Sequence, residues 1–540
     1  MRRHTLRIVS AIAMAAAATS AALVATGSGS ANPAPAPPTD TRGPGGLNLD
    51  TTTIPQLQTA MNAHRLTSAA LTTFYLDRIR RLNPELHAVI TTNPAALTEA
   101  AASDRSRRNG HLRSPLEGIP VLLKDNVDTR DAEATTAGSL ALAQARPASD
   151  AFLVTKLRTA GAVILGKANL SEWANFRSTQ SSSGWSGVGG QTNNPYVLDR
   201  NPCGSSSGSG AGVAADLATV AIGTETDGSI VCPSGANGDV GIKPTLGLIS
   251  RSGVVPISAE QDTAGPIARS ATDAAVTLGV LTGVDPSDPA TKASAGHSYS
   301  NYAQFLRPGS LRGRRIGIWA SCCSGVSNET DSILARTITQ LHQLGATTVM
   351  VNLPDQATIG ANETTALDVE FKHDINAYLS TLGGRHPANL AGLIAFDRAH
   401  ARQEMPYFRQ ETFLAAQATS GNLSDPAYKK ARATATGLAQ KSINQTMAAN
   451  HLDAIAAPTN SPAWTTDLTN GDHFTLASSS PAAVAGYPDV TVPMGYASGL
   501  PVGLSFFASR WQEPKLIGLA YAFEQGTHVR HAPRFLASTP

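Results

Sequence analysis

From residue 67 the chain reads TSAALTTFYLDRIRRLN, with Leu71, Phe74, Tyr75, Ile79 and Leu82 recurring at three- to four-residue steps. That spacing predicts an amphipathic helix, with Thr67 or Ser68 as the cap. Further on, GIPVLLK (118–124) is an unbroken apolar run closed by Lys124. It has the length of a buried strand, too short for a buried helix. AFLVTKLRTAG (151–161) returns to helical spacing and stops at Gly161, and AVILG (162–166) follows as a strand. RRIGIW (314–319), a helical stretch and TTVMVNL (347–353) repeat that rhythm, and DAIAAP (453–458) and DVTVPM (489–494) add strands near the end. Such alternation predicts an α/β protein with a large mixed or largely parallel β-sheet between helices. No linker interrupts residues 50–535, so one large domain is expected, with helical insertions around 360–450.

The first residues follow a different pattern. Arg2, Arg3 and Arg7 precede IVSAIAMAAAATSAALVAT and the small-residue patch GSGSA. This is the layout of a secretory signal, with cleavage expected after Ala31. A membrane anchor is the rival, but so Ala-rich a segment makes a weak span. Arg2-Arg3 leaves twin-arginine export open beside the general route. Residues 32–49, Pro- and Gly-rich at their start, are expected to form an exposed tether before the domain.

The formal charge is +2 over 540 residues. Loss of residues 1–31 takes away three arginines and no acid, leaving about −1. Nothing in that balance attracts nucleic acid or an anionic membrane. The four cysteines, Cys203, Cys232, Cys322 and Cys323, match no zinc spacing. A Cys203–Cys232 bridge and a vicinal Cys322–Cys323 bridge are both open, as are buried free thiols.

The chemistry concentrates in GSSSGSGAGVAADLATVAIGTETDGSIVCP (204–233), where two Ser/Gly clusters flank one apolar helix-and-strand pair. Gly204-Ser205-Ser206-Ser207-Gly208 matches the G-x-S-x-G elbow of α/β-hydrolases, with Ser206 as nucleophile. That alternative needs a histidine, and nothing around His473, His528 or His531 singles one out. A phosphate loop is disfavoured, since the Walker lysine and the third dinucleotide glycine are missing. The second cluster follows a strand-like run, so the N–H groups of Thr226, Asp227, Gly228 and Ser229 are expected to converge as an oxyanion hole. A serine hydroxyl also needs a base, and a desolvated lysine such as Lys124 can supply one.

Together these segments resemble the amidase signature family. GIPVLLKDNVDT carries the family's lysine, CGSSSGSGAGVAA its first serine and GTETDGSI its second; GKANLSEWANF and GIKPTLGLISRSGVVPISAEQDTAGPIARSATDAA fit the pattern between and after them. A C-terminal block from GYPDVTVPM to AYAFE extends the resemblance, which covers about residues 50–530. Cys203 in place of a common glycine, and Asp227 where TGGS is usual, look closest to the bacterial peptide amidases.

The resemblance implies the amidase-signature fold and a Ser–cis-Ser–Lys triad of Ser229 (nucleophile), Ser205 (bridge, after a cis peptide) and Lys124 (base), with no metal and no organic cofactor. It implies a hydrolase of carboxamides, C-terminal peptide amides above all, which the N-terminal signal layout would export. Fatty, aryl or other small amides are the alternative substrates. A Ser206 esterase and a binding protein that has lost its chemistry are the alternatives of other kinds. Trp173, Phe176, Trp185 and Asp374 are expected at the substrate. No nucleic acid partner and no stable membrane association are expected, and oligomeric state stays open.

Overall fold

The computed structural model describes residues 41–539. The signal segment and the first part of the tether lie outside the described residues. The end of the tether is packed and not free: Arg42 bridges to Asn48, and Leu49 is buried in the main core. Leu47 and Leu49 interrupt the Pro/Gly composition and give this stretch apolar area to bury.

An 11-stranded sheet dominates the described residues. Its strands in chain order are β1 (Val89–Thr92), β2 (Pro120–Lys124), β3 (Val163–Ala168), β4 (Val220–Glu225), β5 (Val240–Lys243) and β6 (Thr263–Ala268), then β7 (Arg315–Ile318), β8 (Thr347–Met350), β9 (Ala454–Pro458), β10 (Asp489–Ala497) and β11 (Leu500–Phe507). Across the sheet the order is β1-β3-β2-β4-β6-β5-β10-β11-β9-β7-β8. β2 runs parallel to β3 and β4, and β7 parallel to β8 and β9; the remaining pairs are antiparallel. The sheet is therefore mixed, as the sequence pattern predicts.

Every residue of β2, β3, β4, β6 and β11 is buried. Successive side chains of a strand point to opposite faces, so both faces of the central sheet are covered. The predicted N-terminal helix spans Ser68–Leu86 (α1), and the Thr67 hydroxyl accepts from the Ala70 N–H as its cap. Two short helices, α2 (Ser207–Ala214) and α3 (Val231–Ala236), follow the two Ser/Gly clusters. The expected helical insertion is also present. Two long helices, α4 (Gln356–Leu379) and α5 (Pro426–Ala449), pack together, with shorter helices between them.

Because β2 and β4 are parallel neighbours, Lys124 at the end of one and Thr226–Ser229 after the other emerge at the same edge. Ligands of α/β sheets gather at such carboxyl ends.

Candidate active site

Lys124 is wholly buried. Its Nζ donates to Ser205 Oγ at 2.8 Å, to Thr224 Oγ1 at 2.9 Å and to the Thr224 carbonyl at 3.2 Å. Asn126 Nδ2 donates to the same Thr224 hydroxyl at 2.9 Å. Desolvation lowers the ammonium to about 7, with Asp262 and Glu225 opposing it. A lysine lowered this far can lose its proton near neutral pH and then accept one.

The peptide between Gly204 and Ser205 is cis. Among three consecutive serines the structure separates the roles. Ser205 accepts from Lys124. Ser206 Oγ instead donates to the Thr224 carbonyl at 3.1 Å and accepts from the Thr224 N–H at 3.2 Å, bracing the loop against β4. Ser207 Oγ donates to the Cys203 carbonyl at 2.7 Å.

The second turn is held from outside. Glu225 Oε2 accepts the N–H groups of Ile230 (2.7 Å) and Val231 (3.0 Å), tying the start of α3 back to the end of β4. Thr226 Oγ1 donates to Asp262 Oδ1 at 2.6 Å, and Gln261 Nε2 donates to the Thr226 carbonyl at 2.9 Å. Gly228 sits at φ +82°, a conformation glycine adopts without cost. Within this frame the N–H groups of Thr226, Asp227, Gly228 and Ser229 donate to no acceptor among the described residues. Four unengaged donors in succession at a cavity wall suit a developing oxyanion.

The two turns meet. The Ser206 N–H donates to the Ser229 carbonyl at 3.2 Å, and a Cys203–Cys232 disulfide joins the residue before Gly204 to α3. Cys322 and Cys323 form a second, vicinal disulfide, so no cysteine is free among the described residues. A cavity of about 630 Å³ opens on the joined turns. Gly204, Thr226, Asp227, Gly228, Ser229 and both cysteines of the first bridge form its floor. Phe176, Ile257, Leu367, Trp464 and Phe474 supply apolar wall, and Ser178–Ser181 and Ser479–Ser480 a polar rim. No histidine lines it, and the Ser206 hydroxyl is committed to backbone. Ser206 is a brace, and the esterase alternative has no support.

Of the four residues expected at the substrate, Phe176 lines this cavity. The other three do not. Trp173 packs edge-on against Phe413 in a buried cluster, and Trp185 against Tyr407 and Phe408. Asp374 accepts the Ala259 N–H at 2.7 Å and is taken up in holding that loop. The Asp227 carboxylate would repel an oxyanion if it pointed at one. It turns instead to Ser479, whose hydroxyl donates to it at 2.5 Å. Trp464, Asp472 and Phe474 come from far along the chain, and no local signal marks them. No cluster of three or more His, Cys, Asp or Glu side chains among the described residues is arranged to hold a metal ion.

A family model described as amidase matches residues 70–517. The chain belongs to the amidase family. It is 45% identical over 495 residues to a probable amidase of Arabidopsis thaliana, covering 90% of this chain and 92% of that one. A putative amidase of Schizosaccharomyces pombe is 35% identical over 518 residues, 91% and 87% of the two chains. The crystal structure of native peptide amidase from Stenotrophomonas maltophilia superposes with a TM-score of 0.85 at 51% identity, covering 90% of this chain and 99% of that one. This amidase is a hydrolase of amide C–N bonds.

Proposed function

We propose that this amidase is exported and removes ammonia from C-terminal peptide amides through Lys124, Ser205 and Ser229. The observation that carries it is the buried, desolvated Lys124 donating to Ser205, which follows Gly204 of a cavity floor that also presents Ser229 and four unengaged N–H groups. Likeness to a protein named peptide amidase at 51% identity supports the substrate class.

In the reaction, neutral Lys124 takes the Ser205 proton as Ser205 takes that of Ser229. The Ser229 oxygen then bonds to the amide carbonyl carbon. The carbonyl π-electrons move onto oxygen, and the N–H groups of residues 226–229 stabilise that charge; one such donor is worth about 10²–10³ in rate. Collapse of the tetrahedral species breaks the C–N bond. The relayed proton goes to nitrogen, so ammonia leaves and not amide anion. Water then adds to the acyl-enzyme by the same relay and releases the carboxylate. Residues 1–31 direct export; the protein recovered outside the cell is expected to begin at Asn32.

The test is ammonia release from a C-terminally amidated dipeptide, beside a long-chain fatty amide and an anilide, with Ser229→Ala as control. Preferential release from the peptide amide, lost in the variant, is the expected result. Turnover of the fatty amide or the anilide alone would overturn the peptide assignment and leave the triad standing.

A further inference from the structure

The cavity is charged on one side only. Its lining includes two carboxylates, Asp227 and Asp472, and no lysine, arginine or histidine. Asp227 follows directly on Thr226 in the turn whose N–H groups are unengaged, two residues before Ser229. Ser229 is 9% exposed. Its hydroxyl and the four open donors of its turn line one cavity and together mark where a substrate carbonyl sits. The Asp227 carboxylate therefore lies within roughly 10 Å of the reacting carbon by chain geometry alone.

Burial raises both carboxyls, and hydrogen-bond donors oppose that rise. Asp227 accepts from Ser479, and the Ser479 and Ser480 hydroxyls and the Lys243 charge favour its ionised form. Asp472 accepts the Ser183 N–H at 2.9 Å, the Ser183 hydroxyl at 2.5 Å, and the Asn201 amide and Trp464 indole N–H at 3.3 Å each. Behind Asp227, Glu363 on α4 is pushed up to about 8 by burial and by the Asp227 charge. No cation among the described residues lines the cavity. Arg432 is bound to Glu370 at 2.5 Å and to Gln261 at 2.9 Å, Lys124 lies beneath Ser205, and Lys243, which favours the ionised form of Asp227, is shared among Glu225, Asp489 and Glu513.

Resting on the amide-hydrolysing site proposed above, we propose that Asp227, with Asp472, makes this cavity selective for carboxamides that carry a positive charge. The substrates are amidated peptides with a lysine, arginine or free α-ammonium group near the scissile amide. The same charges repel acidic neighbours of the amide and the carboxylate product, which speeds its departure. One full charge at this distance in a partly desolvated cavity changes binding about tenfold.

The experiment measures kcat/KM for ammonia release from acetyl-alanyl-lysinamide, acetyl-alanyl-methioninamide and the α-amide of acetyl-alanyl-glutamate. A parallel series uses 6-aminohexanamide, hexanamide and adipic acid monoamide. Lysine above methionine above glutamate, spread at least about tenfold and compressed by about 0.5 M salt, is expected. In Asp227→Asn the lysine-to-glutamate ratio falls toward one, whatever the absolute rate, and Asp227→Glu restores it. Equal rates, a reversed order, or a ratio unchanged in Asp227→Asn would overturn the assignment. Turnover confined to the alkanamides would remove the peptide preference proposed above, while their charge order still decides this one.

Discussion

Three lysines, Lys124, Lys167 and Lys243, are wholly buried, and desolvation lowers all three. Their surroundings differ. Lys167 donates to the Val127 carbonyl at 2.5 Å and to Thr135 Oγ1 at 2.9 Å, and Asp125, Asp128, Glu133 and Asp131 all favour its charged form. Lys243 sits amid Glu225, Asp489, Glu513 and Asp227. Only Asp262 and Glu225 pull on Lys124, and only its hydroxyl partner, Ser205, adjoins a residue of a cavity floor, Gly204. Burial makes a lysine able to lose its proton. The number of carboxylates around it, and where its hydroxyl partner leads, decide whether that proton can be used. Lys167 and Lys243 act as counter-charges for buried acids, and Lys124 is the base of the proposed relay.

The largest effect separating them is on rate. Lys124→Ala is expected to lower kcat by about 10⁴, with the melting temperature within a few degrees of the parent. Lys124→Arg is expected to do the same, since a guanidinium keeps its proton. Lys243→Met should act on stability, by about 3 kcal/mol in urea unfolding, because several buried carboxyls lose their counter-charge. If Lys243→Met instead abolished turnover with an unchanged urea midpoint, the division into base and counter-charges would fall. Removing the Cys203–Cys232 bridge in a double alanine variant is expected to cost about 3 kcal/mol in the same assay. It should also lower kcat more than it raises KM, because both hydroxyl-bearing turns lose their tie. The smallest effect concerns pH. With Lys124 at about 7, protonation below that value removes the base, so kcat/KM should fall about tenfold per unit below it and level off above it. A profile still rising steeply two units higher would place the base elsewhere.

Much of this was legible along the chain, for identifiable reasons. β2 and β3 are apolar runs bounded by polar or glycine residues, and both lie at the expected positions. Lys124, Ser205 and Ser229 each lie in a short segment whose composition is unusual for its surroundings. The residues alone do not separate the roles within Ser205–Ser207, which depend on which hydroxyl faces Lys124 and which faces β4; only the family resemblance singles out Ser205. Thr224 was missed for a similar reason. It lies near the end of an ordinary-looking strand, and only the parallel pairing of β2 and β4 brings its hydroxyl between Lys124 and Asn126. The aromatic residues near the first cluster misled, since Trp173 and Trp185 bury themselves against Phe413 and Phe408. The actual walls, Leu367 and Trp464, arrive through long-range packing that no local pattern encodes.

The strand order has a consequence for biosynthesis. The last two strands made, β10 and β11, lie in the interior of the sheet, joining β5 on one side to β9 on the other. A nascent chain that has not yet delivered residues 489–507 holds two partial sheets, each with an unpaired edge. Those edges invite wrong partners for as long as translation takes to reach them. The chain can close its sheet only once residues 489–507 have been made, so the β5 edge waits for nearly half the sequence and the β9 edge for a few dozen residues.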